Sequence, residues 1–306
     1  MLSDPAKGVV AMIAACMMWG LSSLYYKLLS DVPALDVLSH RMIWSLIFFG
    51  VVLAVQRRLT EVIRVLNTRR SFLRLALAAL MIGANWGLFI WAIQIGQITQ
   101  SSLGYYIFPL VAVVIGRVVF GEQLSNMQWL AVGLAAAAVA LLTAGLGVLP
   151  WIALTLAVTF GIYGLLKKQL AAGPVVSVTA EALLLAPIAV TILLQTHHNG
   201  GTALGGDLKT FLLLMMSGPI TAVPLILFSY AARRLNMTTV GLLQYLNPTL
   251  QFGCAVVIFA EPFGRWHGLA FGMIWAALAL YSGAALRQDR ARRRAARAAA
   301  VSGTVV

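Results

Sequence analysis

Residues 102–122, SLGYYIFPLVAVVIGRVVFGE, and residues 241–261, GLLQYLNPTLQFGCAVVIFAE, are two copies of one pattern offset by 139 positions. Tyr106 meets Tyr245, Pro109 meets Pro248, and VVFGE ending at Glu122 meets VIFAE ending at Glu261. Beyond them Gly133 meets Gly272 and Ala140-Leu141 meets Ala279-Leu280. Nearer the start of each copy the offset is 141, so that Gly20 meets Gly161, Lys27 meets Lys168 and His40 meets Glu181. One short loop insertion explains the drift. The chain is therefore duplicated, and each copy holds five apolar runs. Five is odd, so the second copy enters a membrane in the opposite sense to the first. An inverted-topology repeat of this kind belongs to carriers that rock around a central site.

Composition says the same. Of 306 residues 61% are hydrophobic and 10% charged, whereas soluble domains use roughly 45–50% and 25%. Apolar runs bounded by Gly, Pro, Asn or charge predict spans near 8–29, 35–56, 72–95, 98–120, 127–145, 149–169, 175–195, 210–232, 237–259 and 266–286. The expected fold is an all-α polytopic membrane protein of ten transmembrane helices in a five-plus-five inverted repeat. Residues 1–146 form the first repeat, 147–287 the second and 288–306 a basic tail. The first apolar run lacks a small-x-small cleavage pattern at its end and reads as a retained span. Cys16 and Cys254 lie inside apolar runs, which indicates small core residues and no disulfide or Cys-based metal framework.

The net charge of +13 reflects loop sorting better than nucleic-acid binding. With the N-terminus inside, Lys7, the six Arg between Arg57 and Arg74, Arg117, Lys167, Lys168, Arg233, Arg234 and the six Arg from Arg287 to Arg297 all fall on one face. Lys27, Arg41, Lys209 and Arg265 are left for the other, so both termini are expected in the cytoplasm. The tail RQDRARRRAARAAA sets topology, with anionic lipid headgroups as a secondary partner.

Ionisable groups at bilayer depth need a partner, a wet cavity or a role. Glu181 in the seventh span and His40-Arg41 in the second occupy matching places in the repeat, and Arg41 is expected to compensate Glu181 across the pseudo-twofold axis. A static pair and a functional one, with His40 as a proton carrier, are both open. Arg117, Lys167 and Lys168 lie near span ends and are expected to snorkel. In the fourth span Ser102, Tyr105, Tyr106 and Pro109 share one helix face, as do Gly241, Gln244, Tyr245 and Pro248 in the ninth. Each Pro frees a carbonyl that protein or water must satisfy, so these faces are expected to line a cavity. Asn85, beside Trp86 in IGANWGLFIWAI, pairs with another helix or with a solute. Trp19, Ser22, Ser23 and Tyr26 share a face on the first span, and Phe160, Tyr163, Gly164 and Lys167 on the sixth.

The sequence contains no G-x-x-x-x-G-K-[ST] loop, G-x-S-x-G elbow or H-E-x-x-H. No cofactor, catalytic residue or metal ligand is expected. A channel or a membrane enzyme using a buried His40/Arg41/Glu181 site is the alternative, and a scaffold using the basic tail is a third reading.

Taken together, HRMIWS, IGANWGLFIWAI, SLGYYIFPL, MQWLAV, GIYGLLKKQL and TVGLLQYLNPTL resemble the RarD-type permeases of the EamA group, in the drug/metabolite transporter superfamily. The resemblance spans residues 8–285. It implies a five-plus-five inverted fold in the bacterial inner membrane, alternating access, and small solutes such as aromatic or neutral amino acids, related metabolites or chloramphenicol, moved outward. A monomer or weak dimer is expected. The family's His-Arg pair matches His40-Arg41, its Asn-Trp matches Asn85-Trp86, its Gly-Tyr matches Gly104-Tyr105, its Glu matches Glu181 and its Gln-Tyr matches Gln244-Tyr245. Where the family often has Asn before the Pro of the fourth span, this chain has Phe108, so the cavity is less symmetric. The expected substrate-binding set is Asn85, Trp86, Tyr105, Tyr106, Tyr163, Gln244 and Tyr245.

Overall fold

The computed structural model describes residues 4–121, 123–202, 206–235 and 237–302. Its elements are α1 (Asp4–Gly20), α2 (Ser22–Lys27), α3 (Ala34–Val55), α4 (Leu59–Leu66), α5 (Arg69–Gln94), α6 (Ile98–Phe120), α7 (Asn126–Leu146), α8 (Trp151–Lys168), α9 (Pro174–His198), α10 (Leu208–Ala232), α11 (Met237–Gln244), α12 (Leu246–Gly253), a π-helical turn at Cys254–Ile258, and α13 (Arg265–Ser302). Among the described residues nine helices are long and apolar enough to cross a membrane, with α1 and α2 together making the first. Side chains such as Val51, Val55, Leu80, Leu194 and Val257 are exposed on their outer faces. In hydrocarbon such a surface carries no penalty, and the backbone groups that lipid could not satisfy are bonded within helices.

The expected span 237–259 is the exception, because it is built of short pieces rather than one helix. Pro248 cannot donate to the carbonyl of Gln244, where α11 ends, and it occupies the first turn of α12, where a missing N–H is harmless. Pro109, its counterpart, is carried inside an unbroken α6. The short α4 is a second departure, since the sequence marked this stretch only as a cluster of Arg. It buries Val62 against Leu53, Leu75, Val176 and Ala180.

Packing follows the duplication. Helix α1 lies along α10 as α8 lies along α5, α6 meets α8 as α12 meets α1, and α3 meets α10 as α9 meets α5. The pairs α3 with α9, α6 with α12, and α7 with α13 join corresponding elements of the two halves. Close approach is permitted by small residues at the crossings. A Cβ at Gly104 would stand 2.7 Å from the carbonyl of Ala153, and one at Gly218 would stand 2.6 Å from that of Trp44.

One long-range cap fixes the register of the two halves. The carboxylate of Glu261 accepts from the backbone N–H groups of Ile98 and Thr99, both at 2.7 Å, and from the Thr99 hydroxyl at 2.7 Å. An anion thus closes the N-terminus of α6, where unpaired donors and the helix dipole favour it. The residue before it, Ala260, has φ +50°, and its repeat counterpart Gly121 has φ +67°. The other carboxylate of the pattern, Glu122, lies outside the described residues, as do the side chains of the tail from residue 288 onward.

Candidate functional site

Three groups of polar side chains lie among the packed helices. The first is the ion pair of Glu181, which is 2% exposed, with Lys167 at 2.7 Å. The other carboxylate oxygen accepts from the Tyr163 hydroxyl at 3.1 Å, and Lys167 also donates to Ser177. Tyr163 and Lys167 are one turn apart on α8, while Ser177 and Glu181 are one turn apart on α9. The spacing therefore brings two facing pairs together.

The pairing of Arg41 with Glu181 that the sequence suggested does not form, and the reason is geometric. Helices α3 and α9 run antiparallel, because Thr196 near the end of α9 donates to Asp36 near the start of α3 at 2.9 Å. Leu53 near the end of α3 packs with Val176 and Ala180. Arg41 is thus level with about residue 191 of α9, roughly ten residues or 15 Å along the axis from Glu181. Lys167, expected to snorkel, supplies the countercharge instead. The repeat contained the signal, since an offset of 141 aligns Lys167 with Tyr26 and Glu181 with His40, keeping cation and anion in the same half.

Arg41 forms the second group. It is 6% exposed, and its guanidinium lies 3.9 Å from the ring centre of Trp86 and 5.6 Å from that of Tyr26. His40 beside it is buried as well.

The third group is centred on Asn85, which is fully buried. Its amide donates to the Leu156 carbonyl and the Thr159 hydroxyl, both at 2.9 Å. Its oxygen accepts from the Tyr105 hydroxyl at 3.0 Å. Asn85 therefore ties α5 to α6 and α8, the helix-pairing alternative of the two open in the sequence.

Aromatic rings connect the groups. From Arg41 the contacts pass to Tyr26, to Phe89 at 6.0 Å, to Tyr105 at 5.8 Å, to Phe160 at 5.8 Å and to Tyr163 at 5.9 Å. Tyr163 then reaches Glu181 and Lys167. Phe89 was not singled out from sequence, because one more aromatic in an apolar run carries no signal of its own.

Tyr106 and Tyr245 lie elsewhere. They line a separate pocket of about 380 Å³ with Leu242, Thr249, Trp275, Leu278, Ala279 and Ser282. Tyr106 shares a 2.7 Å hydrogen bond with Thr249, and Ser102 donates to the Pro248 carbonyl at 2.8 Å. The two Pro-bearing faces therefore meet one another. Gln244 is partly buried at the last residue of α11, one position before the break at Tyr245. Among the described residues no three His, Cys, Asp or Glu side chains gather into a group that could hold a metal ion.

Residues 6–144 match the EamA-like transporter family. A protein named RarD from Streptomyces exfoliatus is 42% identical, the alignment covering 99% of this chain and 96% of that one. An uncharacterized transporter of Vibrio cholerae serotype O1 is 38% identical over 95% of this chain and 97% of its own. This chain belongs to the EamA-like transporter family. Within that family it stands with the RarD relatives, as a multi-pass membrane protein. A solved crystal structure 16% identical to it, with a TM-score of 0.61, covers 92% of this chain and 98% of that one, and so shares its fold. For an EamA-like transporter, the buried groups joined by aromatic rings become a candidate solute pathway.

Proposed function

We propose that this RarD relative is a bacterial inner-membrane permease that moves small amphipathic solutes outward by alternating access. Both termini face the cytoplasm, and the two halves rock against each other as a five-plus-five inverted repeat. The recurrence of each helix contact between corresponding elements supports that arrangement. The observation that carries the reading is the aromatic succession from Arg41 to the Glu181–Lys167 pair. It runs across the interface between the halves and carries ring faces over about 15 Å of depth, roughly half of the hydrocarbon core. Such a lining favours solutes with an aromatic or apolar body and a polar end. Aromatic or neutral amino acids, related metabolites and chloramphenicol-like drugs are of this kind. Trp86, Tyr105 and Tyr163 serve as lining, Asn85 as the brace that holds Tyr105, and the Glu181–Lys167 pair as the site of any proton coupling.

The test is counterflow. Proteoliposomes preloaded with unlabelled phenylalanine should take up labelled phenylalanine faster than empty ones, and the stimulation should saturate. Conductance without saturation would show a channel instead. If Glu181 carries a coupling proton, an imposed pH gradient should drive net flux in the wild type and fail to do so in Glu181→Gln with Lys167→Met. Equal flux with and without the gradient would leave uncoupled exchange.

A further inference from the structure

We propose that Arg41 is the recognition centre for the solute and that it binds a carboxylate, so that the solutes are aromatic monocarboxylates, amino acids among them. The proposal rests on the permease reading and narrows it to one chemical class.

Among the described residues Arg41 is a buried charge without an acidic partner. Arg41 is 94% buried by side-chain and backbone area, yet the ion pairs among the described residues are Lys7–Asp4, Arg58–Glu61 and Lys167–Glu181. Asp36, the nearest carboxylate on its own helix, accepts from Thr196, and Glu181 is held by Lys167 at another depth. A guanidinium at bilayer depth is costly unless something compensates it. Trp86 compensates in part through the ring face at 3.9 Å. Stacking uses only the flat face of the guanidinium. The N–H donors radiate in its plane, and this fork matches the two oxygens of a carboxylate.

The surrounding polar atoms are also unspent. Nε of Arg41 is buried without a hydrogen-bond partner, as are the hydroxyls of Ser23, Tyr26 and Ser45. Ser45 lies one turn beyond Arg41 on α3, and Ser23 one turn before Tyr26 on α2, and the guanidinium stands over the Tyr26 ring. Buried polar atoms are normally satisfied, and an unpaired guanidinium N–H beside an unpaired phenolic hydroxyl has the form of an anion site. The aromatic rings of Tyr26, Phe89 and Tyr105 follow directly, which places an aromatic body beside the anionic end. One guanidinium matches a single negative charge, and this favours a carboxylate over a phosphate dianion.

Three probes share a phenyl body and differ at the end: phenylacetate, 2-phenylethanol and phenethylamine. Phenylacetate should change the tryptophan fluorescence of the purified wild type saturably and raise its unfolding temperature. The alcohol and the amine should bind at least about tenfold more weakly, the order of one charge-assisted pair. Arg41→Gln should lose that preference, whereas Arg41→Lys, which keeps the charge without the fork, should retain part of it. The wild-type comparison needs no variant, so a misfolded Arg41→Gln does not decide the matter. Equal binding of the three probes, no binding of phenylacetate by folded protein, or undiminished binding in a folded Arg41→Gln would each overturn the proposal. Counterflow separates it from the broader reading. Saturable exchange of chloramphenicol that phenylacetate never inhibits would sink the Arg41 assignment and leave a permease. Phenylacetate bound through Arg41 but never exchanged would keep the assignment and sink the permease.

Discussion

At Lys167 and Glu181 two charges are held 2.7 Å apart with the carboxylate almost wholly enclosed, and their value depends on both being present. Removing one partner leaves an uncompensated buried charge, which costs about 3–5 kcal/mol, whereas replacing both with apolar or neutral groups is often tolerated. Lys167→Met should therefore lower the thermal midpoint in detergent sharply, and adding Glu181→Gln should recover most of the loss. An additive double mutant would mean that the pair does not act as a unit. Asn85 gives a second case, since Asn85→Leu takes the acceptor from the buried Tyr105 hydroxyl and one donor from the Leu156 carbonyl, which keeps Thr159. It should cost about 1–3 kcal/mol, read as a drop in unfolding temperature. Tyr105→Phe should cost less, because the ring contacts stay and Asn85 keeps both of its donor bonds.

Among the elements, the start of α6 shows how one half is tied to the other. Glu261→Ala leaves two N–H groups without their acceptor and should cost about 0.5–2 kcal/mol. Ala260 holds a left-handed conformation that suits Gly, as its counterpart Gly121 shows. Ala260→Gly should therefore raise the unfolding temperature slightly, by up to about 1 kcal/mol of stability, and a fall would show that the Cβ makes a contact worth more than the strain. At the start of α10, Asp207 accepts from the backbone N–H and hydroxyl of Thr210, which hold its carboxyl below the usual carboxylate range. A lowered folded value means that the cap contributes above the ordinary Asp pKa of about 3.9 and is lost as pH falls through the folded value. Asp207→Asn should then flatten stability against pH below about 4, as followed by unfolding temperature. Most of these helices were legible in the sequence, because a run of about 20 apolar residues has few alternatives. The break at Tyr245 was not, since Pro109 and Pro248 look equivalent in a string and only the packed surroundings make one helix continue and the other stop.

Across the whole molecule, the distribution of Lys and Arg predicts which ends of the helices face the cytoplasm. Cys16 and Cys254 are both free and buried, so a single added thiol reports on its own position. A membrane-impermeant maleimide applied to intact cells should label Gly200→Cys, in the loop after α9, and should label Asn67→Cys, between α4 and α5, only after the membrane is opened. The reverse pattern would invert the topology and with it the direction proposed for export. Substitution of Gly104 by Leu should block the approach of α6 to α8 and abolish both folding and flux, whereas the lipid-facing Val257→Leu should change neither.

The sequence by itself determined that this chain lives in a bilayer, roughly where its helices run, that it is duplicated and which side chains are too polar to be there without cause. Those properties follow from composition, run length and offset, all of which are one-dimensional. The tertiary structure alone decided which polar groups meet. Depth along antiparallel helices, and not position in the repeat, separates Arg41 from Glu181 and joins Glu181 to Lys167. The same packing separates Tyr105 from Tyr106, one turned toward Asn85 and the other toward Thr249. Adjacent residues on a helix point about 100° apart, and only the neighbouring helices determine what each of them touches.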